Sequence, residues 1–318
     1  MLDPDSLQVF VVAAETENFS RAARQLHMSQ PAVSQHISQL EKQLGIQLFD
    51  RHGRRIRLSA KGAALLPMAR EFLRTHRRLQ EAASELVGEV VGQLVIGCST
   101  TSGKYLLPRL LAWYRERYPL VRATVIVRTR SQVIEQLASG ELDVAVTNEP
   151  VPRAGLRYHR FFQDEIVLVV PAEHPWAQRG EVQPQALHDE RFIMREPASG
   201  TYMTVSNALR QVGVDIEDLE TVLTIENSEA AALAVQEGLG LAFIPCMAAH
   251  RCVALGRVKP VRIAGTSMTR WIYLVERTTG PRSAAVSAFW RFVHEEGLPR
   301  ISQNSLPICS TPIELIAS

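Results

Sequence analysis

SQPAVSQHISQLEKQLG, from Ser29 to Gly45, reads as a helix whose two faces do different work. Val33, Ile37, Leu40 and Leu44 follow the i, i+4, i+7, i+11 spacing that gathers side chains on one side of an α-helix, so that side is expected to face a core. The opposite side carries Pro31, Ser34, Gln35, Ser38 and Gln39, short or amide-bearing groups that can approach a DNA major groove and bond to base edges or phosphates. Ser29 suits an N-cap, and Pro31 is tolerated in a first turn whose N–H groups lack helical partners. The positive end of the helix then points outward, where phosphate oxygens are favoured. A solvated helix of an ordinary domain has the same pattern, so its neighbours decide between the two readings.

Upstream, Leu7, Phe10, Val11 and Ala14 make a first amphipathic helix, and Ser20 stands where it would cap a second one burying Ala22, Ala23 and Leu26. The turn His27-Met28-Ser29 is only long enough to join helices at a steep angle, which is helix-turn-helix spacing. Downstream, Ile46 to Leu58 reads as a hairpin, with strands at Gln47 to Phe49 and Arg55 to Leu58 around a turn at His52-Gly53. Arg51, Arg54, Arg55 and Arg57 line it, and guanidinium groups so placed can reach phosphates or a narrow minor groove. The candidate DNA contacts are therefore Ser20, Ser29, Gln30, Pro31, Ser34, Gln35, Ser38, Arg51, Arg54 and Arg55.

The run from Leu7 through Phe19-Ser20, Ala22-Ala23, Leu26, Ser29-Gln30-Pro31-Ala32-Val33-Ser34, Ile37, Leu40-Glu41, Leu44-Gly45, Leu48-Phe49 and Arg51 to Leu58-Ser59-Ala60-Lys61-Gly62 resembles the winged helix-turn-helix of the LysR-type transcriptional regulators. The resemblance extends to about residue 297. It implies a bacterial DNA-binding regulator: an N-terminal all-α winged helix-turn-helix at residues 1–59, followed by an α/β effector domain of the periplasmic-binding-protein type II with two lobes. Ser59 stands where the family usually has Thr, and the tail after Leu298 matches nothing in the pattern.

With 318 residues there is room for two or three domains. Hydrophobic residues at 46% and charged residues at 21% describe an ordinary soluble chain, and a net charge of +2 does not advertise nucleic acid. Charge placement says more, because Lys and Arg outnumber Asp and Glu before residue 79. Cys98, Cys246, Cys252 and Cys309 show neither zinc-ligand spacing nor a dense disulfide framework, so free thiols in a reducing cytosol are expected. The start MLDPDSLQVF lacks a secretory signal and no apolar run is long enough to span a bilayer, which predicts a cytoplasmic, DNA-associated protein without a membrane partner.

Residues 60–87 read as one long helix in which Leu65, Phe72, Leu79 and Leu86 recur every seven residues. That stripe predicts a coiled-coil dimer, the alternative being a single helix packed on its own domain. A dimer sets two recognition helices at a fixed separation, so the expected partner is double-stranded promoter DNA with approximate dyad symmetry. The resemblance adds tetramers to the dimer, and RNA polymerase as a further possible partner. A hinge is expected at residues 88–92. Strands at Gln93 to Gly97, Ala123 to Val127 and Leu142 to Val146 alternate with helices at Lys104 to Arg117 and Val133 to Leu137, predicting a parallel sheet with crossover helices. After Pro150 the pattern is less regular, with strands expected at Arg157 to Phe162 and Glu165 to Val170 in a second α/β lobe. One lobe takes residues 93–161 and 270–297, the other residues 162–269, and residues 298–318 are expected to be a mobile tail.

In open α/β folds small molecules collect beyond the carboxyl ends of parallel strands. Ser99, Thr100, Thr101 and Ser102 follow the first such strand, and Thr147 and Asn148 the third; on the other lobe, Arg195 with Ser199, Gly200 and Thr201 links a strand to a helix, as Asn227 does again. Hydroxyls and N–H groups there can hold an oxyanion, although the same residues can simply cap helices. These positions match those at which LysR-type relatives receive coinducers. Arg195 is the charge best placed for an anion, unless it pairs with Glu196. The STTSGKYLLP and REPASGT segments are similar to the branch regulating sulfur assimilation and carbon-fixation operons, which implies a small anionic coinducer: an oxyanion, an organic acid or a sugar phosphate.

No cofactor is expected, since a dinucleotide fingerprint is missing. An enzyme on the same fold would need a nucleophile with a base, or a metal cluster; neither HExxH nor GxSxG occurs. A thiol switch using Cys98 with Cys246 or Cys252 is a third reading, in which a helix N-terminus would lower the Cys98 pKa. Small buried hydrophobe is the competing role for that residue.

Overall fold

The computed structural model describes residues 3–52, 55–86 and 88–303 and divides into two compact units, one ending at Gly92 and the other beginning at Gln93. The first unit opens with helices α1 (Pro4–Thr16), α2 (Phe19–Gln25) and α3 (Gln30–Leu44). Asn18, not Ser20, caps α2, its side chain accepting from the Arg21 N–H at 2.9 Å. Ser20 lies one residue inside the helix and is exposed. Asn18 wins the cap because its extended backbone (φ −156°) aims the amide oxygen back at the first turn. The steep turn into α3 is made by His27 at φ 55°, in the left-handed region that His tolerates better than most residues.

Ser29 caps α3 through the Ala32 N–H, and Gly45 at φ 68° ends it. Val33, Ile37 and Leu40 are completely buried. They join Leu7, Phe10, Ala22 and Phe49 in one core, where Phe49 meets Phe10 and Phe19 edge-on at 5.8 and 5.5 Å. The wing is the antiparallel pair β1 (Phe49–His52) and β2 (Arg55–Leu58), with Phe49 opposite Leu58. Gln47 and Leu48, expected in the first strand, precede it: the Glu41 carboxylate on α3 takes the Leu48 and Phe49 N–H groups at 2.7 and 3.3 Å. Helix α4 (Ala60–Glu85) follows. Ser59 does the capping expected of a hydroxyl there, accepting from the Gly62 N–H while donating to the Gln47 carbonyl. A Cβ at Gly62 would stand 2.2 Å from the Leu48 carbonyl oxygen, so only glycine lets α4 lie against this chain.

The second unit is built on strands β3 (Gly92–Cys98), β4 (Val121–Val127), β5 (Val144–Thr147), β6 (Leu156–Pro171), β7 (Glu181–Val182), β8 (Arg191–Met194), β9 (Glu220–Thr224), β10 (Leu241–Pro245), β11 (Val258–Ile263) and β12 (Thr269–Arg277). They hydrogen-bond in the order β4-β3-β5-β12-β6-β10-β8-β9, with β11 also on β6 and β7 on β11. β3 pairs with β5, β10 with β8 and β8 with β9 in parallel, whereas β12 runs antiparallel to β5 and β6. The sheet is therefore mixed, with β3 and β5 parallel as expected of the first strands.

Two strands expected at residues 157–162 and 165–170 are one. β6 pairs with β12 from Leu156 to Glu165 and with β10 and β11 from Ile166 to Pro171. It thereby belongs to both halves of the unit. The polar run Gln163-Asp164-Glu165 marks where it changes partners, not a break in the strand.

Helices α5 (Leu107–Arg117), α6 (Arg130–Ser139) and α11 (Ala284–Phe292) cover the first half; α7 (Pro175–Arg179), α8 (Gly200–Gln211), α9 (Ser228–Gln236) and α10 (Cys246–Ala254) belong to the second. Alternation along the strands feeds two layers in the second half. Phe192 and Phe243 stack at 5.7 Å on one face, and Ile193 and Ile244 pack with Ala232 and Val235 on the other.

Helix α12 (Leu298–Gln303) occupies the start of the expected mobile tail, and Ile301 in it is buried. Arg300 reaches Glu296 at 3.2 Å and lies over the Trp113 ring, which anchors this last turn. A π-helical turn, Val293–Gly297, precedes α12, and another, Ser102–Leu106, precedes α5. Both lead into a Leu-Pro pair, Leu298-Pro299 and Leu107-Pro108. Widening the turn to i+5 bonds makes room for a proline that has no N–H to give and whose ring crowds the preceding turn. Among the described residues no helix is long and apolar enough to cross a membrane.

Candidate functional site

On α3 the exposed face carries Gln30, Pro31, Gln35, Ser38 and Gln39, with Ser34 half-buried between them. The buried face pins this helix to the core, so the polar row is presented on a rigid support. Arg51 and Arg55 lie on opposite strands of the wing, across the pairs Arg51–Ile56 and His52–Arg55. Arg54 lies outside the described residues. Glu41 is a functional residue that sequence reasoning passed over: from the recognition helix it holds the root of the wing, fixing the two candidate DNA-contacting elements to one another.

Along α4, Phe72, Leu79 and Leu86 are exposed, and Met68 with them. Leu65 does not share that face, because it packs partly buried on the core of its own unit beside Leu66, Ala69 and Leu73. The heptad stripe thus begins one repeat later than expected.

In the second unit the four expected segments all sit at carboxyl ends of parallel strands. After β3 the helix begins at Thr100, four residues before the expected start at Lys104, with the Gly103 N–H on the Ser99 carbonyl at 2.9 Å. Thr100 and Thr101 therefore occupy a first turn rather than a loop, and Ser102 is buried, its Oγ 3.4 Å from that of Ser99. Thr147, at the end of β5, is buried and donates to the Glu149 carbonyl. Ser199 caps α8 through the Thr201 and Tyr202 N–H groups, and Asn227 caps α9 through those of Glu229 and Ala230. A Cβ on Gly200 would fall on the Asn148 amide, so glycine there is what lets the first and second halves touch.

Four cations border these segments, each with a carboxylate, Arg130 pairing with Glu149 just after Asn148. Arg195 is bidentate to Glu196 at 2.9 and 2.9 Å and donates to Ser228 Oγ at 2.7 Å, leaving its side chain 10% exposed. The expected anion receptor is thus already neutralised. Arg270, which the sequence did not point out, sits opposite Asp164 in the β12–β6 register and gives two hydrogen bonds, 2.9 and 2.7 Å, to the same oxygen, Oδ2. A third, at 3.2 Å, goes to Thr201 Oγ1. Burial pushes the Asp164 carboxyl up, with the Arg270 charge and hydrogen bonds pulling against it. Lys104 meets Glu229 at 2.6 Å, with both side chains well exposed. A small recess between Met194, Arg195, Thr201 and Tyr202 opens beside this group.

Cys98 is completely buried, and burial alone drives its thiol up to about 12, the reverse of the lowering expected from a helix N-terminus. That burial fits the small buried hydrophobe, the competing role for this residue. Cys252 is a free thiol too. Cys246 corrects the expectation of free thiols, since it is disulfide-bonded. Among the described residues no cluster of three or more acidic, His or Cys groups could hold a metal ion.

Comparison with known proteins agrees with both units. The model of the lysR family of bacterial regulatory helix-turn-helix proteins matches residues 4–63, and the LysR substrate binding domain matches residues 88–298. A protein of Cyanidium caldarium named "Probable RuBisCO transcriptional regulator" is 31% identical over 288 residues, 90% of this chain and 91% of its own. Full-length CbnR complexed with its target DNA superposes with a TM-score of 0.63 at 21% identity, over 92% of this chain and 99% of that one. The CcmR regulatory domain of Synechocystis PCC6803, solved in complex with 2-PG, superposes with a TM-score of 0.59 at 25% identity, over 67% of this chain and 99% of that one. A recognition helix pinned on a three-helix core, an arginine-bearing wing and a two-halved α/β unit with polar groups at its strand ends are the parts of a regulator rather than of an enzyme, and the chain belongs to the LysR family of DNA-binding transcriptional regulators with an effector-binding domain.

Proposed function

We propose that this regulator reads a dyad-symmetric promoter site as a dimer held through Phe72, Leu79 and Leu86 of α4, assembles further into tetramers, and responds in the cytoplasm to a small anion held by Ser99 to Ser102, Thr147, Asn148 and Ser199 to Thr201. The observation that carries the effector reading is the meeting of strand-end segments from both halves, with Asn148 of one seated on Gly200 of the other. Hydroxyls and helix-start N–H groups converge there, a chemistry suited to an oxyanion, an organic acid or a sugar phosphate. The 2-PG held by the CcmR regulatory domain supports the same ligand class, and the carbon-fixation regulators among the relatives support that branch. Occupancy would shift the two halves and, through the dimer, the geometry of the bound DNA, with contacts to RNA polymerase following from that geometry.

Thermal unfolding of the whole protein against sulfite, sulfate, thiosulfate, phosphorylated sugars, 2-PG and short dicarboxylates tests the effector reading. One compound should stabilise the second unit saturably, by about 2.7 kcal/mol at a hundredfold excess over its Kd. Thr100→Ala and Ser199→Ala should erase the increment. A flat response to every anion would sink the reading, leaving the DNA-binding half as it stands.

For the DNA half, Ser34→Ala or Gln30→Ala should each reduce discrimination between operator and random DNA by about 1–3 kcal/mol. Competition binding at fixed salt measures this. Equal weakening on both DNAs would reassign these groups to phosphate contacts.

A further inference from the structure

Among the ion pairs beside the strand-end segments, two are exposed: Arg130–Glu149, both in the first half, and Lys104–Glu229, which joins the first half to the second. Arg195 and Arg270 are held by two hydrogen bonds each to their carboxylates and are 10% and 8% exposed. Among the described residues Lys104 bonds to Glu229 Oε2 alone, at 2.6 Å, and the two side chains are 41% and 44% exposed. A solvated pair of this kind contributes little to stability, so exchanging its carboxylate for another anion costs little. Its position makes the exchange consequential. Lys104 follows Ser102 and Gly103 on the first half, and Glu229 follows Asn227 and Ser228 on the second, so this bond ties the halves together beside the candidate effector residues.

We propose that Lys104 is the effector's charge-recognising residue and that Glu229 occupies it as a built-in competitor until an anion displaces the carboxylate. The proposal rests on the anionic-effector reading and adds a residue pair to it. On exchange, the Lys104 ammonium passes from Glu229 to the ligand, and the tie between the halves is lost with it. Glu229, freed, is left beside Tyr105 and Cys252, whose acidities already register its charge. Ligand occupancy and the relation of the two halves then become one equilibrium. A neutral or cationic ligand could not drive the exchange, so selectivity for anions comes from the competition itself as well as from the N–H groups.

Calorimetric titration of the full-length protein with 2-PG and with inorganic phosphate tests this. Glu229→Gln keeps the shape but removes the competing charge, and should tighten binding two- to fivefold. Lys104→Gln should weaken it tenfold or more. The charge swap K104E/E229K preserves the pairing between the halves yet puts a carboxylate where the anion is recognised; it should melt like the parent without ligand and bind at least tenfold more weakly. Binding by the parent that is unchanged in Glu229→Gln and retained in the swap overturns the competitor while sparing the anion reading. Absence of binding by the parent and every variant overturns both.

Discussion

Asp164→Ala should destabilise the effector-binding unit by about 3–5 kcal/mol, the cost of leaving a buried charge without its partner. Asp164 is 1% exposed and Arg270 8%, and both hydrogen bonds from the guanidinium to the carboxylate converge on a single oxygen. With the carboxylate gone, the guanidinium keeps, among the described residues, Thr201 Oγ1, a neutral acceptor at 3.2 Å. It cannot shed its charge, because arginine is not deprotonated in proteins. Chemical denaturation followed by far-UV circular dichroism should show the second unit unfolding at lower denaturant with an unaltered slope. The double variant D164L/R270M replaces the pair by apolar groups of similar bulk and should recover most of the loss, since the pair's own net contribution is small. A loss below about 1 kcal/mol in Asp164→Ala would mean that Arg270 relaxes to solvent and that the pair is not sealed in.

That pair also has a directional role. It lies where β6 changes partners between the two halves, and its third bond reaches the first turn of α8. Thr201, one of the residues expected at the effector site, has its hydroxyl held by Arg270 while its N–H is held by the Ser199 cap. Even the recovered double variant should therefore respond less to an anion than the parent, which separates stability from binding.

What could be read from sequence differs between the units for physical reasons. The recognition helix was legible because cap, proline, buried row and C-terminal glycine all agree within seventeen residues, Ser29 to Gly45. The alternation of strands and helices in the second unit was legible for the same reason of local agreement. Ser20 was misjudged as a cap because Asn18, two residues earlier, is an equally good cap by composition, and only its backbone angle decides. The continuous β6 was missed because Asp164 looks like a break until Arg270, 106 residues later, is seen opposite it. Lys104 and Glu229 lie 125 residues apart, and no local pattern joins them. The strand-end serines and threonines were found, since chain order fixes where strands end, but the charges that flank them depend on tertiary pairing. Arg195 shows the converse: its neutralisation by the adjacent Glu196 was visible in sequence as an alternative, and the structure takes it.

Phe49→Ala should destabilise the first unit by about 3–5 kcal/mol and remove operator binding near 37 °C. Phe49 is 3% exposed and its ring is the point at which the wing meets the helices, edge-on to Phe10 of α1 and to Phe19 of α2. Two edge-to-face contacts are lost with the side chain, beyond the area it buries. The space left lies against Phe10 and Phe19, which α1 and α2 hold in the core and which cannot both close in on it. The consequence for function is larger than for a core residue elsewhere, because Glu41 ties the backbone of Phe49 itself to the recognition helix. Loss of the ring frees the wing from one side while the carboxylate still holds it from the other, so the arginines of β1 and β2 lose their register with α3. Calorimetry should resolve an early transition for the first unit and an unmoved one for the second, as two separate compact units allow. At 15 °C, where the variant is folded, its salt dependence of DNA binding should flatten as wing–phosphate contacts are lost, while discrimination carried by Ser34 and Gln30 persists. A variant that retains the parent's salt slope would show that the wing docks through Glu41 alone, and that the aromatic cluster serves stability without serving recognition.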